Sequence, residues 1–338
     1  MHSSQGERKR ALINHIILQN PEYIIVDNVF DSLDIDFQEE VKKILTDLGK
    51  RIPIIQIATR RKDILTFVKE IYQFSDEQLI EVDQNVDNLP GKKFIEALPK
   101  PEKINDSLKN PLVKFANVTV SYGERAILKN INWEIKTGDF WQLIGPNGSG
   151  KSTILSLITG DNPKAYGQDI ELFGMKKGTG ESVWDIKNNI GYYTSEVLRG
   201  FRRLDSIEKM MLSGFYDSIG LYKYPTERQI FIVHDWLRLL GLYKLKDKDF
   251  LSLSIGHQRL VLIARAMVKH PPLLILDEPT NGLDDSDAII FSELVNKIAL
   301  ESNTAILYVS HRKEPGLNPV SVYELVPQKE GSIGKIIL

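Results

Sequence analysis

Residues 3–34, SSQGERKRALINHIILQNPEYIIVDNVFDSLD, run parallel to residues 253–284, LSIGHQRLVLIARAMVKHPPLLILDEPTNGLD, with no insertion or deletion between them. Ser4 matches Ser254, Gly6 matches Gly256, Asp27 matches Asp277 and Asp34 matches Asp284, each pair 250 positions apart. An internal repeat restricts the chain to two copies of one architecture, and overlooking it would misassign the whole fold. The copies are unequal. The second has a body upstream of its repeated segment, starting near Pro111, whereas the matching stretch of the first would fall before Met1. Residues 1–88 are therefore expected to form only the rear part of a domain, whether the chain is a fragment or its true start lies upstream. A sheet without its central strand should leave edges that favour association. Between the copies, four prolines and scattered lysines without helical or strand periodicity read as a linker over 89–111.

The 338 residues, 42% hydrophobic and 26% charged, suffice for two cores. A formal charge of −2 argues against a nucleic-acid partner gripped by a basic surface. Without cysteine there are no disulfides, thiol nucleophiles or thiolate metal sites. No apolar run approaches the roughly 18–20 residues of a membrane span, and MHSSQGERKR lacks a signal-peptide core. The expectation is a cytoplasmic chain that reaches a membrane only through other subunits, as a peripheral protein on its inner face.

In WQLIGPNGSGKSTILSLITG an apolar strand, 140–144, leads through a glycine-rich turn into an amphipathic helix. The turn and first helical residues are Gly145, Pro146, Asn147, Gly148, Ser149, Gly150, Lys151, Ser152 and Thr153. Glycines let backbone N–H groups curl around phosphates, and the helix aims its positive end at them. Lys151 would reach the β- and γ-phosphates of a nucleoside triphosphate and Ser152 would ligate Mg2+. PLLILDEPT, 272–280, is a strand apolar on both faces that ends in two carboxylates. Asp277 would hold the metal through water, and Glu278 would orient and deprotonate the attacking water. TAILYVSH, 304–311, brings His311 to the carboxyl edge of the same sheet, where open α/β folds place ligands. Ser254 and Gly256 open another amphipathic helix whose free N–H groups can receive phosphate.

Together these segments resemble the ATP-binding cassette (ABC) ATPases, with Tyr122 of VSYGERAIL where that family stacks adenine. The resemblance implies an α/β P-loop NTPase over 112–338: a mostly parallel core sheet flanked by helices, an antiparallel β subdomain and a helical subdomain. It implies an Mg-dependent ATPase with ATP and Mg2+ bound. The segments TGDNPKAYGQDIELFG, GESVWDIKNNIGYYTSE, SGFYDSIGLY and LVKHPPLLILDEP resemble the ModF/PhrA group of tandem cassette proteins, which is associated with molybdate transport. Partners implied are a second cassette domain paired head to tail and a membrane permease. In such pairing Ser4, Gly6 and Glu7 of the first copy would close the site built on Lys151, Asp277, Glu278 and His311.

Three departures from the family pattern stand out. Asn28 occupies the position of Glu278, and Arg60 is read as standing where His311 stands, so even with its missing front restored the first copy's site should bind nucleotide more readily than hydrolyse it. In IGYYTSE the family's metal-ligating glutamine is replaced by Ser195, which can still hold a water on Mg2+. These departures keep two other readings open: a soluble regulatory or non-transport ABC ATPase, and an ATP sensor with little turnover. Finally, Thr226 and Gln229 form a capping box for a helix reaching Gly241, and GFYDSIGLYKYP before it could dock a partner or pack the helical subdomain.

Overall fold

The structure is a computed structural model that describes residues 5–31, 33, 35–75, 77–82, 94–102, 110–194, 205–311, 314 and 316–337. The chain divides into two compact units, Met1–Gly91 with Thr280–Ile289, and Lys92–Pro279 with Ile290–Leu338. Among the described residues no helix is long and apolar enough to cross a membrane.

The first unit contains α1 (Gln5–Leu18), β1 (Ile24–Asp27), α2 (Ile35–Gly49), β2 (Ile54–Ile57) and the strands β3 (Tyr72–Ser75) and β4 (Gln78–Glu81). β1 and β2 pair in parallel with Asp27 opposite Ile57, and β3 and β4 pair antiparallel. Phe30, Leu33, Val41, Leu45 and Leu65 form its core, with Val26 and Ile54 packed against them from one face of β1–β2. The opposite face is open: Ile25, Ile55 and Ile57 are 57%, 55% and 51% exposed. Arg60 is buried in this unit, its Nε donating to Leu283 O (3.0 Å) and its Nη2 to Thr280 O (2.5 Å). The Arg61 N–H donates to Asp285 Oδ2 (2.8 Å). These bonds explain why 280–289, part of the second copy by sequence, groups here.

In the second unit β5 (Val113–Tyr122), β6 (Arg125–Ile135), β8 (Asp169–Leu172) and β9 (Met175–Lys176) form an antiparallel sheet in the order β6-β5-β8-β9. The main sheet takes β7 (Phe140–Ile144), β10 (Ile190–Thr194), β11 (Leu273–Asp277), β12 (Ala305–Val309), β13 (Ser321–Val326) and β14 (Ile333–Ile337). Its order is β10-β11-β12-β7-β13-β14, parallel except for β14. LLILD and AILYV are apolar at nearly every position because both faces of a parallel sheet are covered. Flanking helices are α3 (Lys151–Ile158), α4 (Val183–Lys187), α5 (Ile207–Leu212), α6 (Glu227–Leu239), α7 (Ile255–Met267) and α8 (Asp285–Glu301), the last beginning in the segment that groups with the first unit. Thr226 and Gln229 make the expected capping box for α6, which buries Ile232, Val233, Trp236 and Leu237. The parallel core, antiparallel β sheet and helical portion are those the sequence implied.

The segment read as a linker is not a free spacer over 94–102. The Leu98 N–H donates to Glu301 Oε2 (3.0 Å), Pro99 is buried, and Gln229 Nε2 donates to Glu102 Oε2 (3.4 Å), so these residues lie on α6 and the end of α8.

Candidate nucleotide site

β7 ends at Ile144, and the glycine loop runs into α3 at Lys151. Two glycines are required by geometry. A Cβ at Gly145 would lie 2.6 Å from Ser149 Oγ and 2.9 Å from Leu325 O. Gly150 has φ 101°, and a Cβ there would lie 2.7 Å from Leu128 Cδ2. Asn147 and Gly148 are exposed at the tip, and Ser149 N donates back to Pro146 O (3.2 Å). Lys151 is buried, its Nζ donating to Gly145 O (2.6 Å) and Pro146 O (3.2 Å). The ammonium is thus held along the loop's inner rim, with Ser152 exposed and Thr153 half-buried on the first turn of the helix.

One row of the parallel sheet carries the rest. Leu143 of β7 lies opposite Val309 of β12, Val309 opposite Asp277 of β11, and Asp277 opposite Thr194 of β10. All four strands therefore release their loops at the same edge, spaced by about 4.8 Å per strand. Glu278 comes next with φ 45°, its N–H donating to Val309 O (2.9 Å). The buried His311 sets Nδ1 3.8 Å from Glu278 Oε1. Gln142 Nε2 donates to Ser310 Oγ (2.9 Å), and Ser310 N donates to Leu143 O (3.1 Å), tying the end of β12 to β7. Ser152 and Asp277 line one cavity of about 430 Å3 with Ser156, Tyr192 and Arg265.

These residues fit a magnesium triphosphate. The loop is too tight for a Cβ at two points, as a backbone cradle requires, and the buried Ser149 Oγ and His311 Nδ1 have no hydrogen-bond partner among the described residues. A hydroxyl and a carboxylate on one cavity supply the hard oxygen donors that Mg2+ takes.

A family model described as ABC transporter matches residues 128–281. The ABC transporter ATP-binding protein ModF of Escherichia coli (strain K12) is 38% identical over 327 residues, which cover 92% of this chain and 67% of that protein. The chain belongs to the ABC transporter ATP-binding proteins. An ABC transporter ATP-binding protein of Schizosaccharomyces pombe is 31% identical over 324 residues, 92% of this chain and 65% of its own length. The chain thus spans about two thirds of these relatives. Among solved structures, CbiO1 from Clostridium perfringens, part of the ABC transporter complex CbiONQ, superposes with a TM-score of 0.57 at 26% identity, covering 68% of this chain and 88% of that one. Members of this family hydrolyse ATP.

In the ABC frame, Tyr122 ends β5 at 47% exposure, its hydroxyl accepting from Asn162 Nδ2 (2.9 Å). Ser254 is the N-cap of α7, its Oγ accepting the His257 N–H (3.3 Å), and Gly256 is buried in the first turn. Within α7 the buried Arg259, which motif reading passed over, donates to Pro279 O just beyond Glu278. Ser4 and Ser195 lie outside the described residues; Thr194, the neighbour of Ser195, is the residue opposite Asp277. Gly6 lies in the first turn of α1. Of the aromatics before α6, Phe215 and Tyr216 are half-buried, Tyr216 donating to Gln229 Oε1 (2.9 Å), whereas Tyr222 and Tyr224 are 69% and 100% exposed.

The first copy repeats this backbone and corrects one assignment. Asn28 has φ 43° and its N–H donates to Ile57 O (2.9 Å), as Glu278 does to Val309 O. Asp27 lies opposite Ile57 as Asp277 lies opposite Val309, so the equivalent of His311 is Thr59, not Arg60. The helix between the two strands is two residues longer in the second copy, 17 against 15, which displaced the reading by sequence. Thr59 N and Oγ1 both donate to Asn28 Oδ1 (3.0 and 3.1 Å), and Asn28 Nδ2 donates to Asp27 Oδ1 (3.0 Å). The carboxamide's donor and acceptor are both engaged by their neighbours.

Proposed function

We propose that the second copy binds Mg-ATP between the glycine loop and the tips of β11 and β12 and hydrolyses it, with Glu278 as general base. The observation that carries this reading is the in-register row of Leu143, Val309 and Asp277, from which the loop, Glu278 and His311 all depart at one sheet edge. The N–H groups from Gly145 to Thr153 and the positive end of α3 receive phosphate oxygens, and Lys151 adds a localised charge at the β- and γ-phosphates. The Ser152 hydroxyl and Asp277 carboxylate hold magnesium, with Ser195 as a further donor. When bound, the ion neutralises charge on the phosphate oxygens. Glu278 is aimed by its bond to Val309 O and accepts the proton of the attacking water, while His311 contacts the γ-phosphate. Tyr122 offers its ring to adenine.

The same family logic calls for a second cassette domain in head-to-tail pairing, the signatures of this chain being Ser4–Gly6 and Ser254–Gly256. ATP hydrolysis drives import of molybdate or a related anion through separate membrane subunits on the cytoplasmic face. The lineage with ModF supports that cargo. The engaged Asn28–Thr59 pair supports a first copy without a base of its own.

Glu278→Gln tests the chemistry. Phosphate release should fall about 10²- to 10⁴-fold while Mg-ATP binding persists; unchanged release would remove Glu278 from the reaction. Co-purification tests the coupling: membrane subunits are expected, and ribosomes or DNA in their place would overturn transport.

A further inference from the structure

We infer that Asn162 is a positioning residue that fixes the ring of Tyr122 against the phosphate-loop helix. The inference rests on the reading of Tyr122 as the adenine platform. Asn162 is 4% exposed and sits just after α3, at the start of a short 3-10 turn, Pro163–Ala165. Its amide orientation is determined: Oδ1 accepts the Lys164 N–H (3.0 Å), which leaves Nδ2 as the donor. Nδ2 donates to the Tyr122 hydroxyl (2.9 Å) and to Ser156 Oγ (2.9 Å). Ser156 Oγ donates in turn to Thr153 O (2.8 Å). Two hydrogen bonds therefore join the phenol to the helix that begins at Lys151, and a third holds Ser156 within that helix.

Capping the 3-10 turn uses only the Oδ1 of Asn162, so a purely structural role leaves both Nδ2 bonds without purpose. Their effect falls on Tyr122. A tyrosine 47% exposed at a strand end would otherwise sample several rotamers and lose that freedom on stacking. Tethering its hydroxyl removes the freedom before the ligand arrives, which is preorganisation. It also sets the distance between the stacking face and the phosphate cradle, so that a nucleotide's two ends are measured by one hydrogen-bonded unit.

The experiment compares ATP with inorganic triphosphate, which has no base, as ligands of the full chain with Mg2+, using calorimetry. Tyr122→Phe removes only the hydroxyl; Asn162→Ser keeps an oxygen for the Lys164 N–H but cannot reach the phenol. Each should weaken ATP binding about three- to tenfold, leave triphosphate binding unchanged, and add nothing further when combined. Additive losses, an equal loss for triphosphate, or unchanged or tighter ATP binding by Tyr122→Phe would each overturn the inference. Tyr122→Ala separates it from the reading beneath it. If Tyr122→Ala weakens ATP binding and the two conservative variants do not, the tether alone fails; if Tyr122→Ala changes nothing, the adenine platform fails as well. Should Asn162→Ser fold poorly, Tyr122→Phe still decides.

Discussion

Acidification should destabilise the second unit through one histidine. His270 lies just past the end of α7, with its N–H donating to Met267 O (2.8 Å) and φ 49°. Its buried Nε2 has no hydrogen-bond partner among the described residues, and burial pushes its pKa down to about 4. The end of a helix favours imidazolium by about 0.3–1 kcal/mol, so desolvation wins here. The unfolded chain, with a histidine pKa near 6.5, takes up the proton first as the pH falls. Stability is therefore intact above pH 6.5 and is lost progressively down to about pH 4, where the folded state protonates as well. A separation of roughly 2.5 units at about 1.36 kcal/mol each sets an upper bound of about 3 kcal/mol. His270→Asn removes the titration and keeps a side chain that tolerates a positive φ. All four tryptophans, Trp133, Trp141, Trp184 and Trp236, lie in this unit, so their fluorescence in urea tracks its unfolding. Carboxylates titrate in both proteins and cancel in the difference. The wild type should lose up to about 3 kcal/mol relative to the variant between pH 6.5 and 4; parallel curves would refute the claim that His270 is held neutral by burial.

Gly150→Ala should impair the phosphate cradle. A side chain at φ 101° is strained, and its Cβ meets Leu128 at 2.7 Å, so a cost of about 1–2 kcal/mol should appear as roughly tenfold weaker Mg-ATP binding by calorimetry, and unchanged affinity would mean that the loop tolerates a Cβ. The exposed isoleucines on the open face of β1–β2 should drive self-association. Ile25→Thr with Ile57→Thr should shift the sedimentation profile toward smaller species at equal concentration, and an unaltered profile would assign any association to another surface.

The glycine loop, the acidic strand β11 and the strand β12 that leads to His311 were legible because each is local: an uninterrupted apolar run fixes a buried parallel strand, and the residues after that run must emerge at the carboxyl edge. β7 occupies Phe140–Ile144, and the Thr226–Gln229 box opens α6 where the spacing required. Tertiary context was not legible. Asn162 is an asparagine before a proline, which announces a turn but not that its amide reaches a tyrosine 40 residues earlier. Four aromatics in 215–224 gave no hint that two would pack and two would stand in solvent, because a short non-periodic segment carries no face. Segment 94–102 looked like a spacer since proline suppresses periodicity, yet a proline can be buried as well as any apolar residue, and Pro99 is.

The displaced assignment of Arg60 shows where a repeat stops being a ruler. From Gly6 to Asp34 both copies keep one spacing, and the helices begin in step, α1 at Gln5 and α7 at Ile255, α2 at Ile35 and α8 at Asp285. The second copy's helix is longer by two residues, 17 against 15, and only strand register shows which residue answers to which beyond it: Ile57 to Val309, hence Thr59 to His311. Backbone geometry survives that change. Asn28 and Glu278 share a left-handed φ and the same N–H bond to the neighbouring strand although their side chains differ. Chemistry does not survive it. A carboxylate beside an imidazole can take a proton from water, whereas a carboxamide whose oxygen already accepts two bonds from Thr59 cannot. Glutamate at position 28 would therefore inherit threonine, not histidine, as its neighbour, so the two copies differ in the pair and not in Asn28 alone.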